Sequence, residues 1–392
     1  MMQRNWRRVP FRKGLVRDLA NVVILYLIGL GAAAQFTKIA ITFPALTAVY
    51  ADAGSAVGFI LSMLALCGAV FGLAAGRLLA FVSPKRTLLY SLAASAALSL
   101  FQAGMPQFSV MLALRAMEGV AHLAIVVAAP TLLASSTSDR LRPLAMTLWS
   151  TIVAAAFALT AFFGRDAGLA QILAVHGVVM AALLPIAAAF LEDGEASTST
   201  HRSCRWSLVG IHLDAYRKAS VTIPAVAFFA YASCYMSGLT LVSLYTGRAA
   251  LAGILPSFGI AVTFMIVLPA LDRVPATVVL KTGLAIAAAA ALVLPWAPSA
   301  AAPWFLLYGA LPFVQAASFA VVPQLASGHA SRSLAYGAIS EAGNLGNLVG
   351  LPLLLAVTQH AGQVGGALFI GGVLATALAL QMTMGRRYSG ER

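Results

Sequence analysis

Apolar segments of about twenty residues recur along nearly the whole chain, and this feature most constrains how the chain folds. An α-helix of that length crosses the hydrocarbon core of a bilayer. Hydrophobic residues make up 61% of the 392 residues and charged residues 9%, against roughly 25% charged residues in soluble domains. The mean hydropathy is +0.90. The sequence therefore predicts a polytopic membrane protein.

We count twelve predicted spans, which makes the chain an all-α membrane protein. They cover residues 19–49, 55–81, 87–104, 107–133, 143–163, 168–190, 220–246, 249–271, 277–297, 302–326, 333–357 and 363–384. Most connections are too short to form a soluble catalytic domain.

The positive charges lie on one side of the predicted spans. Both tails and the even-numbered connections are rich in Lys and Arg, whereas the odd-numbered connections hold only Arg165 and Arg248. Such a bias places the basic connections in the cytoplasm. The net charge of +13 therefore indicates topology and not a nucleic-acid surface. We expect a protein of the bacterial inner membrane with both termini in the cytoplasm. We also expect the first span to remain uncleaved, because its removal would reverse the charge bias.

A polar interval divides the chain into two halves of similar size. The predicted units are an N-terminal six-helix bundle at 1–191, a cytoplasmic linker at 192–219 and a C-terminal six-helix bundle at 220–392. The linker begins as a Ser/Thr-rich flexible segment, and its part from Trp206 to Ala219 is expected to lie on the membrane surface. Two like-sized halves predict a central site between them.

Three ionisable residues share one face of the fourth span. Because a helix turns about 100° per residue, Arg115, Glu118 and His122 fall within an arc of about 60°. Exposure of charge to lipid is costly, so this arc is expected to face a cavity or a partner helix. Glu118 and His122 are candidates for proton coupling. The alternative is an internal ion pair that only joins helices.

Other spans carry polar faces as well. In the first span, Gln35 and Lys38 share an arc with Gly31 and Thr42, and Pro44 interrupts the helix near its outer end. His176 in the sixth span is isolated and is interpreted as structural. Residues expected to line a cavity, with Arg115, are Gln35, Lys38, Tyr231, Tyr235, Gln315, Asn344 and Asn347. Interhelical hydrogen bonding is the alternative role for the asparagines. Glu341 lies nearer the cytoplasm, where it is expected to pair with Arg332 or a gate residue, or to serve as a second proton site.

Small residues at a spacing of four predict close helix contacts. Gly68, Gly72 and Gly76 form one such row in the second span, and Gly346 and Gly350 form another in the eleventh. Tight packing is the simplest interpretation, and in a moving protein such contacts also slide.

Several local patterns resemble the major facilitator superfamily over nearly the full length. LALRAMEGVAHLAIVVAAP is similar to the fourth-helix motif, with Arg115 and Gly119 at its two characteristic positions. GRLLAFVSPKRTLL stands where the family carries G-x-x-x-D-R-x-G-R-R, and keeps Gly76, Lys85 and Arg86. LPALDRVP retains an acidic–basic pair, Asp272 and Arg273. The resemblance implies two six-helix bundles around a central cavity, lined by the first, fourth, seventh and tenth helices, and transport by alternating access.

We therefore expect a secondary active transporter of a small organic solute, driven by protons. Glu118 would pair with Arg115 when ionised and release it when protonated. Lys38 and Arg115 favour an anionic or zwitterionic solute, and export is slightly favoured over uptake. The alternatives are a multidrug/proton antiporter for hydrophobic cations and a non-transporting receptor or scaffold. The sequence carries no ATP-binding or catalytic motif, so no enzyme activity, cofactor or metal is expected. Expected partners are the solute, protons and the lipid bilayer, with no nucleic acid, and the protein is expected to be a monomer.

Overall fold

The computed structural model describes residues 11–79, 81–164, 167–192, 208–246, 249–297 and 299–389, and these residues form helices and short connections. The outer parts of the charged tails (1–10 and 390–392), Arg165, Arg248 and the linker residues 193–207 lie outside the described residues. In the first half, the helices are α1 (Phe11–Ile41), α2 (Phe43–Val49), a 3-10 turn (Ala51–Val57), α3 (Gly58–Leu79), α4 (Pro84–Ala103), α5 (Phe108–Ser136), α6 (Arg142–Ser150), α7 (Ile152–Phe163) and α8 (Leu169–Phe190).

The second half continues the helical pattern. After α9 (Leu208–Ala215) come α10 (Ala219–Thr246), α11 (Ala249–Val262), a π-helical segment (Thr263–Val267), α12 (Leu268–Arg273), α13 (Ala276–Val293), α14 (Ala301–Leu325) and α15 (Gly328–Ser389). Gly362 has a φ of 61°, so α15 is two helices joined at a sharp turn. Glycine adopts this left-handed conformation without the steric cost of a Cβ.

The described helices account for twelve membrane crossings. Nine are long and apolar enough to span a bilayer, and the bent pair α6–α7 makes a tenth. The polar helix α4 packs between α5 and α8 and crosses beside them. The turn at Gly362 divides α15 into the last two crossings. The predicted all-helical fold with twelve spans in two bundles is confirmed.

Two predicted spans contain breaks. Thr42 separates α1 from α2, next to Pro44, and its hydroxyl donates to the Lys38 carbonyl at 2.5 Å. The fifth predicted span, 143–163, bends by 46° at Thr151. The hydroxyls of Ser150 and Thr151 donate to the carbonyls of Thr147 and Leu148, at 2.7 and 2.8 Å. Such bonds compete with the helical ladder and bend a helix.

The two halves pack against each other chiefly through α3 and α15. A Cβ built on Gly76 would lie 2.5 Å from the Ser333 carbonyl oxygen, and one on Gly72 would lie 2.7 Å from the Glu341 nitrogen. Gly68 meets the Asn344 side chain in the same way. The prediction of tight packing along this glycine row is therefore confirmed, as it is for Gly346 and Gly350, which lie against the backbone of α10.

Candidate functional site

A cavity of about 910 Å³, the space at its mouth included, lies between the two halves. We call it the central cavity. Residues from α5, α6, α7, α10, α14 and α15 line it. The wall includes Tyr231, Tyr235, Gln315, Asn344 and Asn347, which places five of the eight predicted cavity residues there. No Lys, Arg, Asp or Glu stands among the described lining residues.

One wall of the central cavity is a run of aromatic rings from α10. Phe228 and Tyr231 have ring centroids 5.4 Å apart, and Tyr231 and Tyr235 have centroids 5.2 Å apart. These positions recur at a spacing of three and four residues, so the rings share one face of the helix. Phe319 from α14 meets Phe228 edge-on at 5.2 Å. The wall therefore offers flat apolar surface that stacks on a planar or apolar solute.

The bend between α6 and α7 exposes a backbone acceptor to the central cavity. The Gln315 amide nitrogen of α14 donates to the carbonyl oxygen of Ser150, which is the last residue of α6. Both residues line the cavity. A backbone carbonyl within the membrane requires a donor, and here that donor comes from the other half of the molecule.

A network of buried ionisable and polar side chains lies inside the first half. We call this network the charged cluster; its members are Lys38, Ser99, Gln102, Arg115, Glu118 and His176. Lys38 Nζ lies 2.6 Å from Glu118 Oε1, and Arg115 Nη1 pairs with Glu118 Oε2. Gln102 Nε2 donates to the same Oε2 at 2.7 Å. Lys38 is 1% exposed, and Arg115 and Glu118 are fully buried.

The charged cluster lies behind the wall of the central cavity. Gln35, Lys38 and Arg115 were expected on that wall, and the structure places them elsewhere. Arg115 is held by Glu118 and by the Ile60 carbonyl, to which its Nε donates at 2.9 Å. The reason is the rotation of α1 and α5, which turns their polar arcs toward α4 and α8.

His122 connects the central cavity to this interior. Its ring lines the cavity, and its Nδ1 lies 3.0 Å from both the Ala32 carbonyl oxygen and Gln35 Oε1. Gln35 Nε2 in turn donates to Ser95 Oγ at 2.7 Å. Of the arc formed by Arg115, Glu118 and His122, only His122 reaches the cavity.

His176 is not isolated, in contrast to the sequence-based interpretation. Its Nδ1 lies 3.3 Å from Lys38 Nζ and 2.9 Å from Ser99 Oγ, and its Nε2 lies 3.0 Å from the Gly31 carbonyl oxygen. A carbonyl oxygen only accepts, so Nε2 carries the proton and Nδ1 of the neutral ring accepts. The spacing within α8 gave no sign of this contact, because the partners belong to α1 and α4.

The end of the molecule that bears the basic connections is closed between the halves. We call it the basic end, and it includes the connections 81–83, 137–141, 274–275 and 326–327. His329 Nε2 donates to the Leu79 carbonyl at 2.8 Å, and the Tyr336 hydroxyl lies 3.1 Å from Met146 Sδ. These contacts join α3 and α6 to α15 on the basic side of the central cavity.

Glu341 of α15 forms hydrogen bonds with α3, with α9 and with the turn that follows α9. Its Oε2 accepts from the backbone nitrogen of Leu73 at 3.0 Å, and His212 Nε2 lies 3.1 Å from Oε1. The Tyr216 hydroxyl donates to Oε1 at 3.4 Å. Burial and the nearby Glu341 carboxylate raise the pKa of Tyr216, which lies between the spanning helices, so its hydroxyl remains a donor. The ionisable partner of Glu341 is therefore His212 of α9.

Arg332 does not pair with Glu341 in the part of the chain that the structure describes. Its Nη1 instead lies 3.4 Å from the Ala134 carbonyl oxygen, near the end of α5. Arg142 Nε donates to the same carbonyl at 2.8 Å. Two cations thus meet the negative end of a helix dipole, which is a favourable position for positive charge.

The residues of the expected gate motifs occupy different surroundings. Gly76 lies in the glycine row against α15. Lys85 and Arg86 begin α4, where the backbone nitrogen of Arg86 donates to Ser83 Oγ at 3.1 Å. Asp272 and Arg273 are exposed at the end of α12. The sequence match at these positions therefore brings only Gly76 to the contact between the halves.

Sequence reasoning missed several residues of the central cavity, namely Trp149, Ser150, Phe228, Phe319 and Tyr336. Phe228 extends the stripe of Tyr231 and Tyr235, so the spacing of aromatic residues could have found it. The role of Ser150 depends on the bend in the fifth span, which no proline or glycine marks.

The fold and the cavity define a class: membrane carriers built from two helical bundles around a central site. The model of the Major Facilitator Superfamily matches residues 25–350, and the chain belongs to this family. No curated protein matches the sequence.

Solved structures share the fold at low sequence identity. The human organic anion transporter MFSD10 (TETRAN) superposes with a TM-score of 0.80 at 15% identity, over 93% of this chain and 99% of that one. The E. coli fucose:proton symporter FucP gives a TM-score of 0.72 at 14% identity, over 92% and 98%. A double Trp mutant of XylE gives 0.73 at 11% identity, over 93% and 95%. At these identities, the similarity shows the fold alone.

Proposed function

We propose that the protein is a secondary active transporter that carries a small organic solute through the central cavity by alternating access. The observation that carries the proposal is the cavity itself, which both halves line and which contacts between α3 and α15 close at the basic end. Opening of that end would need separation of the glycine row and of the bonds that Glu341, His329, Arg332 and Tyr336 make to the first half. The charge bias of the sequence supports placing the basic end in the cytoplasm of a bacterial inner-membrane protein.

The cavity wall supports a solute with a flat or apolar face and several hydrogen-bonding groups. Tyr231 and Tyr235 supply stacking surface, and Gln315, Asn344 and Asn347 supply amide donors and acceptors. The anionic or zwitterionic solute expected from the sequence depended on Lys38 and Arg115. Since both side chains are turned toward Glu118, a net negative charge on the solute is not required.

A second candidate solute is a lipophilic cation. Aromatic faces attract cations, and the wall combines tyrosines and phenylalanines with no formal positive charge among its described residues. This is the drug/proton antiport alternative, and it differs from the first candidate only in the charge of the solute.

Energy is proposed to come from a proton gradient through the charged cluster of the first half. The cluster contains buried ionisable groups beside the site, and Glu118 is one helical turn from His122, which lines the cavity. Export is slightly favoured over uptake, because the fourth-helix pattern resembles that of bacterial exporters. The predicted monomer needs no partner to complete the cavity.

A ligand screen on the purified protein tests the proposal. The thermal midpoint would be measured with neutral sugars, nucleosides, amino acids, organic acids and lipophilic cations, on wild type, Tyr231→Ala and Tyr245→Ala. Both tyrosines are buried in α10, but only Tyr231 lines the central cavity. A ligand at a hundred times its Kd stabilises the folded protein by about 2.7 kcal/mol.

We expect one of these compounds to raise the midpoint of wild type and Tyr245→Ala, with roughly tenfold weaker binding to Tyr231→Ala. The same compound should then cross the membrane of proteoliposomes that contain the protein. Equal weakening in both variants would move the site away from the aromatic wall. Binding without flux in sealed vesicles would favour the receptor or scaffold alternative.

A further inference from the structure

The charged cluster holds an uneven number of formal charges. Lys38 and Arg115 are cations when protonated, and Glu118 is the one carboxylate that they share. All three side chains are almost completely buried, in a part of the molecule that crosses the membrane. An uncompensated charge in such a place is costly. The cluster is therefore neutral only when one of the two cations gives up its proton.

Of the two cations, only Lys38 can change its charge. The Arg115 guanidinium does not lose its proton in proteins, and it forms a neutral pair with Glu118. A lysine amine, unlike a guanidinium, can occur in proteins in both the protonated and the neutral form. Loss of the Lys38 proton leaves the pair of Arg115 and Glu118 intact.

The surroundings of Lys38 also fit a group that binds a proton. An ammonium has three N–H donors, and Lys38 Nζ has three acceptors: Glu118 Oε1 at 2.6 Å, Ser99 Oγ at 2.8 Å and His176 Nδ1 at 3.3 Å. Ser99 donates its own hydrogen to the Leu173 carbonyl, at 2.9 Å, so its oxygen is free to accept. Each of the three acceptors comes from a different helix: α5, α4 and α8.

We propose that Lys38, and not Glu118, is the residue that binds the coupling proton. In the loaded state it is an ammonium held by three acceptors, and in the unloaded state it is a neutral amine beside the pair of Arg115 and Glu118. The proton comes from water on one side of the membrane, binds to the amine lone pair and leaves to water on the other side. No other bond is made or broken. This inference rests on the proposed function, since it names the site that couples transport to protons.

Three helices packed against α1 supply the groups that face Lys38. Glu118 and Arg115 face it from α5 and His176 from α8, while α4 contributes only the uncharged Ser99 and Gln102. His122 is one turn further along α5. A groove between α1, α7 and α8 has Lys38 and His176 in its wall and reaches Gln171 near the end opposite the basic end. Glu118, Arg115 and His176 are therefore the ionisable groups that set the charge around Lys38.

Nitrogen-15 NMR of lysine side chains tests the inference without any solute. The chain has five lysines, so protein labelled at lysine Nζ gives five signals, whose positions differ between ammonium and amine. Replacement of the other four, as Lys13→Arg, Lys85→Arg, Lys218→Arg and Lys281→Arg, leaves Lys38 as the only signal and does not touch the charged cluster. We expect that signal to change from ammonium to amine as the pH is raised over the range in which the protein stays folded.

A Lys38 signal that stays that of an ammonium throughout the titration would overturn the inference. A second arm tests whether a bound anion balances the charge instead. Arg115 Nη2 is a buried donor without a partner among the described residues and could bind chloride, so chloride is replaced with gluconate. A fixed ammonium together with stabilisation by chloride would show that an anion balances the charge. If the quadruple variant fails to fold, a wild-type spectrum compared with that of Lys38→Met identifies the same signal.

Flux in proteoliposomes separates this inference from the proposed function. With a compound found by the ligand screen, Lys38→Met should retain exchange of the solute and lose accumulation driven by a pH gradient. Gradient-driven accumulation by Lys38→Met would reject the assignment of Lys38. Absence of flux in wild type would reject the proposed function, while the NMR titration would still decide whether Lys38 binds a proton.

Discussion

The interiors of the two halves differ in chemistry. The first half buries Lys38, Arg115, Glu118 and His176 within one network. Around Tyr235, the second half buries aromatic rings and hydroxyls, among them those of Tyr231 and Tyr308. The Tyr308 hydroxyl donates to the Tyr235 carbonyl at 2.7 Å, so this buried polar group has a hydrogen-bond partner that carries no charge. In the proposed function, this difference assigns the proton to the first half and the stacking surface for the solute to the second.

The sharpest way to break this comparison is to change the charge balance of the first half. Glu118→Gln leaves Arg115 as a buried cation with no counter-charge even when Lys38 is a neutral amine, whereas Lys38→Met leaves the neutral pair of Arg115 and Glu118. We expect Glu118→Gln to lower the free energy of unfolding by about 3–5 kcal/mol and Lys38→Met to cost much less. Denaturation of both variants in the same detergent measures the difference. Equal losses would mean that the three charges act as one inseparable structural unit.

A smaller effect is expected where the two halves touch. In Gly72→Val, the new Cβ would lie 2.6 Å from the Glu341 Cβ, which disfavours closure of the basic end. We expect solute flux to fall at least roughly tenfold, equivalent to about 1.4 kcal/mol against the closed state. Gly372→Val is the matched control, because a Cβ there meets no atom within 4 Å. Unchanged flux in Gly72→Val would show that closure does not depend on the glycine row.

The smallest effect concerns one hydrogen bond that spans the halves. Gln315→Leu removes the donor of the Ser150 carbonyl, which should cost about 1 kcal/mol of stability and also change the affinity for the solute. Gln381→Leu removes a similar bond, to the Ile223 carbonyl at 2.7 Å, within the second half. We expect the control to lose stability with unchanged affinity, as read from ligand-dependent shifts of the thermal midpoint. Equal affinities in the two variants would place the solute away from the bend.

The sequence allowed prediction of the fold in more detail than of the site. Apolar length and charge bias give the spans, because the bilayer imposes both on any chain that crosses it. Helical spacing also groups Arg115, Glu118 and His122 correctly, since the rotation per residue is constant. It does not say toward which neighbour the arc points. That direction depends on how α1, α4, α5 and α8 pack. For this reason the sequence-based prediction placed Lys38 and Arg115 in the cavity and treated His176 as isolated.

The residues predicted to line the cavity from the second half do line it, unlike those predicted from the first half, and the difference has a physical reason. Tyrosine in the middle of a span needs both apolar surroundings and a partner for its hydroxyl, which limits Tyr231 and Tyr235 to interior surfaces. The bend at Thr151 had no such signal, because serine and threonine are common in straight spanning helices. The donor from Gln315 could only be seen once the two halves were brought together.

The Ser150 carbonyl belongs to the main chain, and this has an evolutionary consequence. Substitution can replace every side chain of the cavity wall, but it cannot delete a peptide oxygen as long as the helix remains bent there. A solute that presents a hydroxyl or amine to this oxygen would keep one anchor while the aromatic wall drifts around it. New specificities could then arise through single replacements that each leave a working carrier.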